Sequence, residues 1–294
     1  MWIVETRRTD VYRNLAVEEY LLGAASEGPH LFLCRNEPAV VIGKNQNPWK
    51  ECRLDRLRAA GATLARRISG GGAVYHDLGN LNYSLIYPRA AYRADEAFSL
   101  ALSALKRLGV DARLERKNML TAAGRKVSGH AFAFRGNGVL HHGTLLVSTD
   151  LDRLQSLFPG DLVVEDTHAV ASVPAATGNL SELRPGLGVR DVADVLAEQF
   201  RCRYGPATRL DDSEIERWDY RAIRERLGSK AWRYDRTPPF TVVLTSGWRL
   251  RVEEGVVRSV WKTGSNAGEG KTIGDAGSWI GRSFQEIEAE WRRV

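Results

Sequence analysis

A chain of 294 residues, 43% hydrophobic and 27% charged, has room for one large domain and a small companion, and its even composition excludes a disordered or collagen-like protein. No apolar run reaches the ~18 residues of a bilayer helix, and the charged opening MWIVETRRTDVYRN does not read as an export signal, so a cytoplasmic protein without membrane contact is expected. Forty-two basic against 36 acidic residues leave +6, which permits an acidic protein or a nucleic acid as partner, while Cys34, Cys52 and Cys202 lack disulfide or zinc spacing and read as reduced, mostly structural thiols.

The predicted elements mix strands and helices from the start. NLAVEEYLLGAA spaces its apolar residues as an amphipathic helix, HLFLCR and AVVIG are strands, ECRLDRLRAAG is a second helix, and GATLARRI and NLNYSLIY are strands again. ADEAFSLALSALKRL forms a helix stopped at Gly109. KVSGHAFAF and VLHHGTLLVS form a hairpin around RGNG, whose asparagine suits a positive φ, and Asp150 caps the short helix DLDRLQSLF. A loop-rich stretch, DTHAVASVPAATGN, precedes the helix VRDVADVLAEQFRCRYG and the polar segment DDSEIERWDYRAIRERLG. WRYDRTPPF, with two prolines, marks a boundary at Trp232; FTVVLTSGWRLRVEEGVVRSVWKTG then reads as three strands turning at Ser246-Gly247 and Glu254-Gly255, and SFQEIEAEWRRV as a closing helix. The division is therefore 1–231 and 232–294.

Chemistry concentrates in two segments. RRISGGGAVYHDLGN sets Gly70, Gly71 and Gly72 in a row, a pattern that costs backbone entropy and suits a backbone lying against a ligand. It has neither the GK[ST] ending of a P-loop nor GxGxxG spacing. Amides flanked by Arg66 and Arg67 suit a carboxylate or phosphate, although the glycines alone fit a tight turn with surface arginines equally well. In the second segment, Lys126 stands in GRKVSG on an apolar strand, where a half-buried ammonium can neutralise charge developing as a carboxylate attacks a phosphate; a solvated strand-end lysine is the alternative. The chain holds only eight lysines, so one inside a glycine-bearing segment stands out. His141 and His142, adjacent on a strand, must face opposite ways and cannot pair on a metal; no protein-held metal site is expected.

RRISGGGAVYHDLGN, RNEPAVVIGKNQNPWKE and KVSGHAFAFRGNGVLHHGTLL, in this chain order, resemble the lipoate-protein ligase A family, relatives of biotin protein ligase and the octanoyl transferases, over roughly residues 10 to 180. The resemblance implies an α+β fold of biotin/lipoate ligase type: a mixed β-sheet catalytic domain with flanking helices, and a small sheet-and-helix C-terminal domain. It implies that lipoate and ATP, with Mg²⁺, give lipoyl-AMP, from which a lysine of an apo lipoyl domain of a 2-oxoacid dehydrogenase complex or of the glycine cleavage H protein takes the acyl group; the enzyme is expected to be a monomer. Carried over, Lys126 would contact the acyl carbonyl and α-phosphate. Arg67 with Gly72, Ala73, Val74 and Tyr75 would bind nucleotide, while Ser69, Gly70, Gly71 and His76 would shape the lipoyl end. Asn118 with His142, Gly143 and Thr144 would complete the adenylate pocket.

Two positions depart from the family. Lys117-Asn118-Met119 stands where many members end in aspartate, and Ala133 stands where a basic residue is common, with Arg135 two places on. Neither change touches transfer, which keeps a lipoyltransferase fed with lipoyl-AMP as the alternative. Octanoyl transfer would need a thiol in the acyl pocket, and none of the cysteines falls in the two segments; a basic nucleic-acid-binding module finds no motif.

Overall fold

The structure, a computed structural model, describes residues 1–25, 28–116, 118–244, 247–262 and 274–291. In chain order, β1 (Trp2–Glu5) is followed by α1 (Val11–Gly23), β2 (His30–Cys34), β3 (Ala39–Ile42), α2 (Pro48–Glu51), α3 (Leu54–Ala59), β4 (Thr63–Arg66), β5 (Val74–His76) and β6 (Asn80–Pro88). Next come α4 (Ala94–Arg107), β7 (Ala112–Glu115), β8 (Met119–Ala122), β9 (Arg125–Arg135), β10 (Gly138–Leu146), α5 (Leu151–Leu157) and β11 (Val163–Glu165). α6 (Leu180–Leu183), α7 (Val189–Tyr204), β12 (Thr208–Leu210), α8 (Asp212–Ile215) and α9 (Arg221–Gly228) complete the larger part. A helical turn at Ala231–Asp235 then leads to β13 (Phe240–Val243), β14 (Trp248–Glu253), β15 (Val256–Lys262) and α10 (Phe284–Trp291).

Eight strands form one mixed sheet in the order β12-β1-β2-β6-β10-β9-β8-β7, parallel at β12/β1/β2 and antiparallel beyond. One face packs α4 and α7 over Leu85, Tyr83, Val127 and Leu145, and α1 lies across the other with Val17 and Leu21 against Phe32 and Ile86. A three-stranded sheet, β4-β3-β5, and an antiparallel four-stranded sheet, β11-β13-β14-β15, enclose a further core. That core is shared: Val40, Ile42, Trp49 and Tyr75 meet Phe240, Leu250, Phe284 and Ile287, and the four-stranded sheet takes β11 from the larger part.

Local chemistry explains most boundaries. Asp10 caps α1 by accepting from the Arg13 amide at 2.6 Å, directly before the buried Val11, and Asp150 caps α5 through the Arg153 amide at 2.9 Å. The helix expected over ECRLDRLRAAG is broken into α2 and α3, because Asn47 caps a turn with Pro48 at its first position and Cys52 is extended at φ −140°. In the β9–β10 hairpin the positive φ falls on Gly136, not on Asn137. Glu254 and Gly255, at φ 50° and 72°, form the expected turn, whereas Ser246 lies outside the described residues.

Candidate active site

A cavity of about 330 Å³ opens between α1, β3, β5, the glycine loop, the β9–β10 hairpin and the segment 170–175. Of the residues expected there, Arg67, Gly71, Gly72, Ala73, Val74, His76, Asn118, Lys126, His142, Gly143 and Thr144 all line it. Ser69, Gly70 and Tyr75 do not. Ser69 lies behind the loop, and Tyr75 packs into the core shared with the C-terminal strands.

The two neighbouring arginines have different tasks. The Arg66 guanidinium is fully buried and donates to the carbonyls of Gln46 (2.7 Å), Lys44 (3.0 Å) and Arg233 (2.8 Å) and to Thr237 Oγ1 (2.9 Å), so it bolts the turn at 231–235 to β4. Arg67 donates to Val41 O (2.9 Å), Gly70 O (2.6 Å), Gly72 O (2.7 Å) and Ser69 Oγ (2.9 Å). It thus folds the glycine loop around itself. Burial lowers its pKa to about 10, which leaves it charged at neutral pH as a fixed cation in the cavity wall. Gly71 has φ +83°, and a Cβ there would lie 3.0 Å from Arg67 Nη2, so the loop needs glycine on both counts.

Lys126 reaches the cavity because of an irregularity in β9. Thr121 pairs with Lys126 but Leu120 with Ser128, so one extra residue is accommodated near Val127. Val127 and the His130 ring pack on the α4 side of the sheet, while Lys126, Gly129 and Ala131 line the cavity, which His130 also borders. Without the bulge, strict alternation from Ala131 would send Lys126 to the other face. Gly129 makes the room: a Cβ there would stand 2.9 Å from the Lys126 Nζ. Burial, then the charge of Arg67, lowers the Lys126 pKa.

The two adjacent histidines do face opposite ways. His141 is buried among Phe98, Phe132 and His130, its Nε2 2.8 Å from His130 Nδ1, and burial pushes its pKa down to about 3. His142 faces the cavity, where Nδ1 lies 2.7 Å from Glu18 Oε1 and Nε2 2.7 Å from Ser69 Oγ.

Four contributors escaped sequence reasoning. Glu18, on the buried side of α1, is the one carboxylate among the described lining residues. Ser172 in the segment 170–175 accepts from the Ala73 amide (2.8 Å) and Gln46 Nε2 (3.1 Å) and donates to Glu51, whose pKa burial raises. Asn36 meets His76 Nδ1 at 3.0 Å, and burial takes the His76 pKa down to about 3. Cys34 lines the cavity after all, but burial, then Glu18, pushes its thiol far above the ordinary range, the reverse of what a thioester-forming nucleophile needs. Arg135 does not replace the missing base near Ala133: it pairs with Glu19 behind α1. Met119 lines the cavity, and Lys117 lies outside the described residues.

A cleft with a glycine loop wrapped on a buried arginine and a lysine aimed across it, carried by this mixed sheet, is the catalytic-domain fold of the lipoate ligases. The chain belongs to the lipoyl protein ligase A/B catalytic domain family, matched over residues 10–201. It is 34% identical over 249 residues to a lipoate-protein ligase A of Psychrobacter cryohalolentis, covering 81% of this chain and 74% of that protein. The crystal structure of P. falciparum LipL1 in complex with lipoate superposes with TM-score 0.71 at 26% identity, over 88% of this chain and 83% of that one. A lipoate-protein ligase A bound with ATP shares the fold at TM-score 0.64 and 24% identity, over 79% of this chain and 94% of that one. The expected α+β architecture, mixed sheet and small C-terminal sheet included, is borne out.

Proposed function

We propose that the protein is an ATP-dependent lipoate-protein ligase whose chemistry centres on Lys126. In the first step a lipoate carboxylate oxygen attacks the α-phosphorus of ATP and pyrophosphate leaves, giving lipoyl-AMP. In the second, an acceptor lysine attacks the acyl carbon, the C–O bond to AMP breaks, and the amine proton is lost to solvent. Both steps build negative charge on oxygens that a cation held across the cleft can stabilise, and neither needs a protein nucleophile.

The carrying observation is that Lys126 Nζ stands in the cavity and makes no ion pair or side-chain hydrogen bond with the described residues, facing a loop whose buried Arg67 is already charged. Phe32, Leu15 and Val41 supply apolar wall for an aliphatic acyl chain, and Asn118, Gly143 and Thr144 line the part of the cavity left to the nucleotide. Magnesium brought with ATP would neutralise phosphate charge. No group of three or more His, Cys, Asp or Glu able to cage a metal occurs among the described residues, which fits an ion held mainly by phosphate oxygens and waters.

The acceptor fitting this reading is an apo lipoyl domain of a 2-oxoacid dehydrogenase complex or the glycine cleavage H protein, met in the cytoplasm by a monomeric enzyme. A net charge of +6 favours an acidic acceptor, and no helix among the described residues is long and apolar enough to cross a membrane. Met119 in the cavity wall sustains the lipoyltransferase alternative. Pyrophosphate release from ATP, magnesium and lipoate without acceptor decides between them: release is expected, and its absence alongside transfer from synthetic lipoyl-AMP would overturn the complete-ligase reading.

A further inference from the structure

Glu18, His142 and Ser69 stand in the order carboxylate, imidazole, hydroxyl, with 2.7 Å between Glu18 Oε1 and His142 Nδ1 and 2.7 Å between His142 Nε2 and Ser69 Oγ. That sequence of contacts is the one that activates a serine nucleophile. The surroundings argue for another use. Ser69 is 1% exposed and absent from the cavity lining, so no acyl carbon can reach its oxygen. The same oxygen accepts from Arg67 Nε at 2.9 Å, the arginine that holds the glycine loop by the carbonyls of Gly70 and Gly72.

The donors and acceptors fix the direction of the chain. A carboxylate only accepts, so His142 Nδ1 carries the proton towards Glu18, which also accepts from the Ser84 hydroxyl at 2.5 Å. In the neutral imidazole, Nε2 is then an acceptor. Ser69, whose oxygen already accepts from Arg67, donates its hydroxyl proton to that nitrogen. Every polar atom along the line is satisfied in this one arrangement: Arg67 donates to Ser69, Ser69 to His142, and His142 to Glu18.

We propose that Glu18, on α1, is a positioning residue for the glycine loop, acting through His142 and Ser69. The carboxylate sets the tautomer of His142, the tautomer determines whether Ser69 can donate, and Ser69 with Arg67 holds residues 69–73 in the shape a nucleotide meets. Because Glu18 and His142 both line the cavity, this line also couples the acyl-binding wall to the loop. Its consequence for ATP rests on the function proposed above; its consequence for loop order does not.

Hydrogen exchange across residues 69–73, read alongside the KM for ATP, tests the relay. Glu18→Ala and Ser69→Ala should each raise exchange there about tenfold, the scale of one lost charge-assisted hydrogen bond, and each should raise the KM for ATP. The double variant should go no further than either single one, because both changes cut the same line. Glu18→Gln keeps an oxygen that accepts from Nδ1 and should recover part of the protection, and it carries the decision where Glu18→Ala does not fold. Unchanged exchange at 69–73 in the Glu18 variants, or a double variant whose increase is the product of the two, overturns the relay. A wild-type enzyme that releases no pyrophosphate sinks the ligase reading instead, and the exchange measurement still decides the relay.

Discussion

The two faces of the β9–β10 hairpin carry similar residues and use them oppositely. Towards α4, His130 and His141 pair with each other among Phe98, Phe132 and Tyr83, both buried, with only the edge of His130 reaching the cavity. Towards α1, His142 meets a carboxylate and a hydroxyl beside an open cavity, with Lys126 on the same side. One residue of register separates packing from chemistry. The sealed face tolerates imidazole only as a neutral, hydrogen-bonded ring, whereas the open face keeps polar atoms that a ligand can use.

The comparison breaks first at Lys126. Lys126→Ala should lower the rate of lipoyl-AMP formation about 10²- to 10³-fold, the scale of removing one oriented charge from a reacting centre, with little change in the thermal midpoint. Near-normal pyrophosphate release would remove the lysine from the chemistry. Because burial and Arg67 depress its pKa, the wild-type rate should also fall with rising pH earlier than an ordinary lysine would dictate.

On the sealed face the expected loss is in stability, and it is driven by acid. His141, at about 3, and His130, also well below the usual value, resist protonation in the folded state, whereas the unfolded chain takes up protons near pH 6.5. Stability is therefore full above that value and declines as the pH falls towards 3, by at most about 1.4 kcal/mol per pH unit for each histidine. Urea melts at pH 7 and pH 5 measure the slope. His141→Leu should flatten it, and an unaltered slope would show that other groups titrate.

Gly71→Val sharpens the open side. Its φ of +83° and the 3.0 Å approach to Arg67 Nη2 should cost about 1 to 3 kcal/mol, seen in calorimetry as weaker ATP binding. Unchanged binding would reduce the loop to a turn. Smallest is Met119→Asp: in a complete ligase it should barely alter pyrophosphate release, and a large gain would mean that the native chain lacks a group activation needs.

How far the sequence carried the reading depended on whether the cause was local. Asp150 and the Glu254-Gly255 turn act on backbone within a few residues of themselves, and each left a recognisable mark, whereas the Asp10 cap, which starts α1 before the stretch NLAVEEYLLGAA, was not read. The opposite facing of His141 and His142 follows from strand alternation alone. The bulge near Val127 left no mark, since an extra residue in one strand is defined only against its partner, and with it went the reason Lys126 faces the cavity. Glu18 sat unremarked in an amphipathic helix because its partners Ser84 and His142 lie 66 and 124 positions away, and Cys34 in an apolar strand because only the folded sheet brings it to the cavity. Arg66 and Arg67 read as a matched pair, although one faces the C-terminal turn and the other the glycine loop.

The shared core around Trp49 has a consequence for how the protein is made. Val40, Ile42 and Tyr75 leave the ribosome about two hundred residues before Phe240, Leu250, Phe284 and Ile287, which cover them. At ordinary synthesis rates the gap is roughly ten to forty seconds, during which the apolar side of β3 and β5 has no permanent cover. A nascent chain paused near residue 232 should therefore bind holding chaperones, and release at that point should yield aggregate rather than a smaller enzyme.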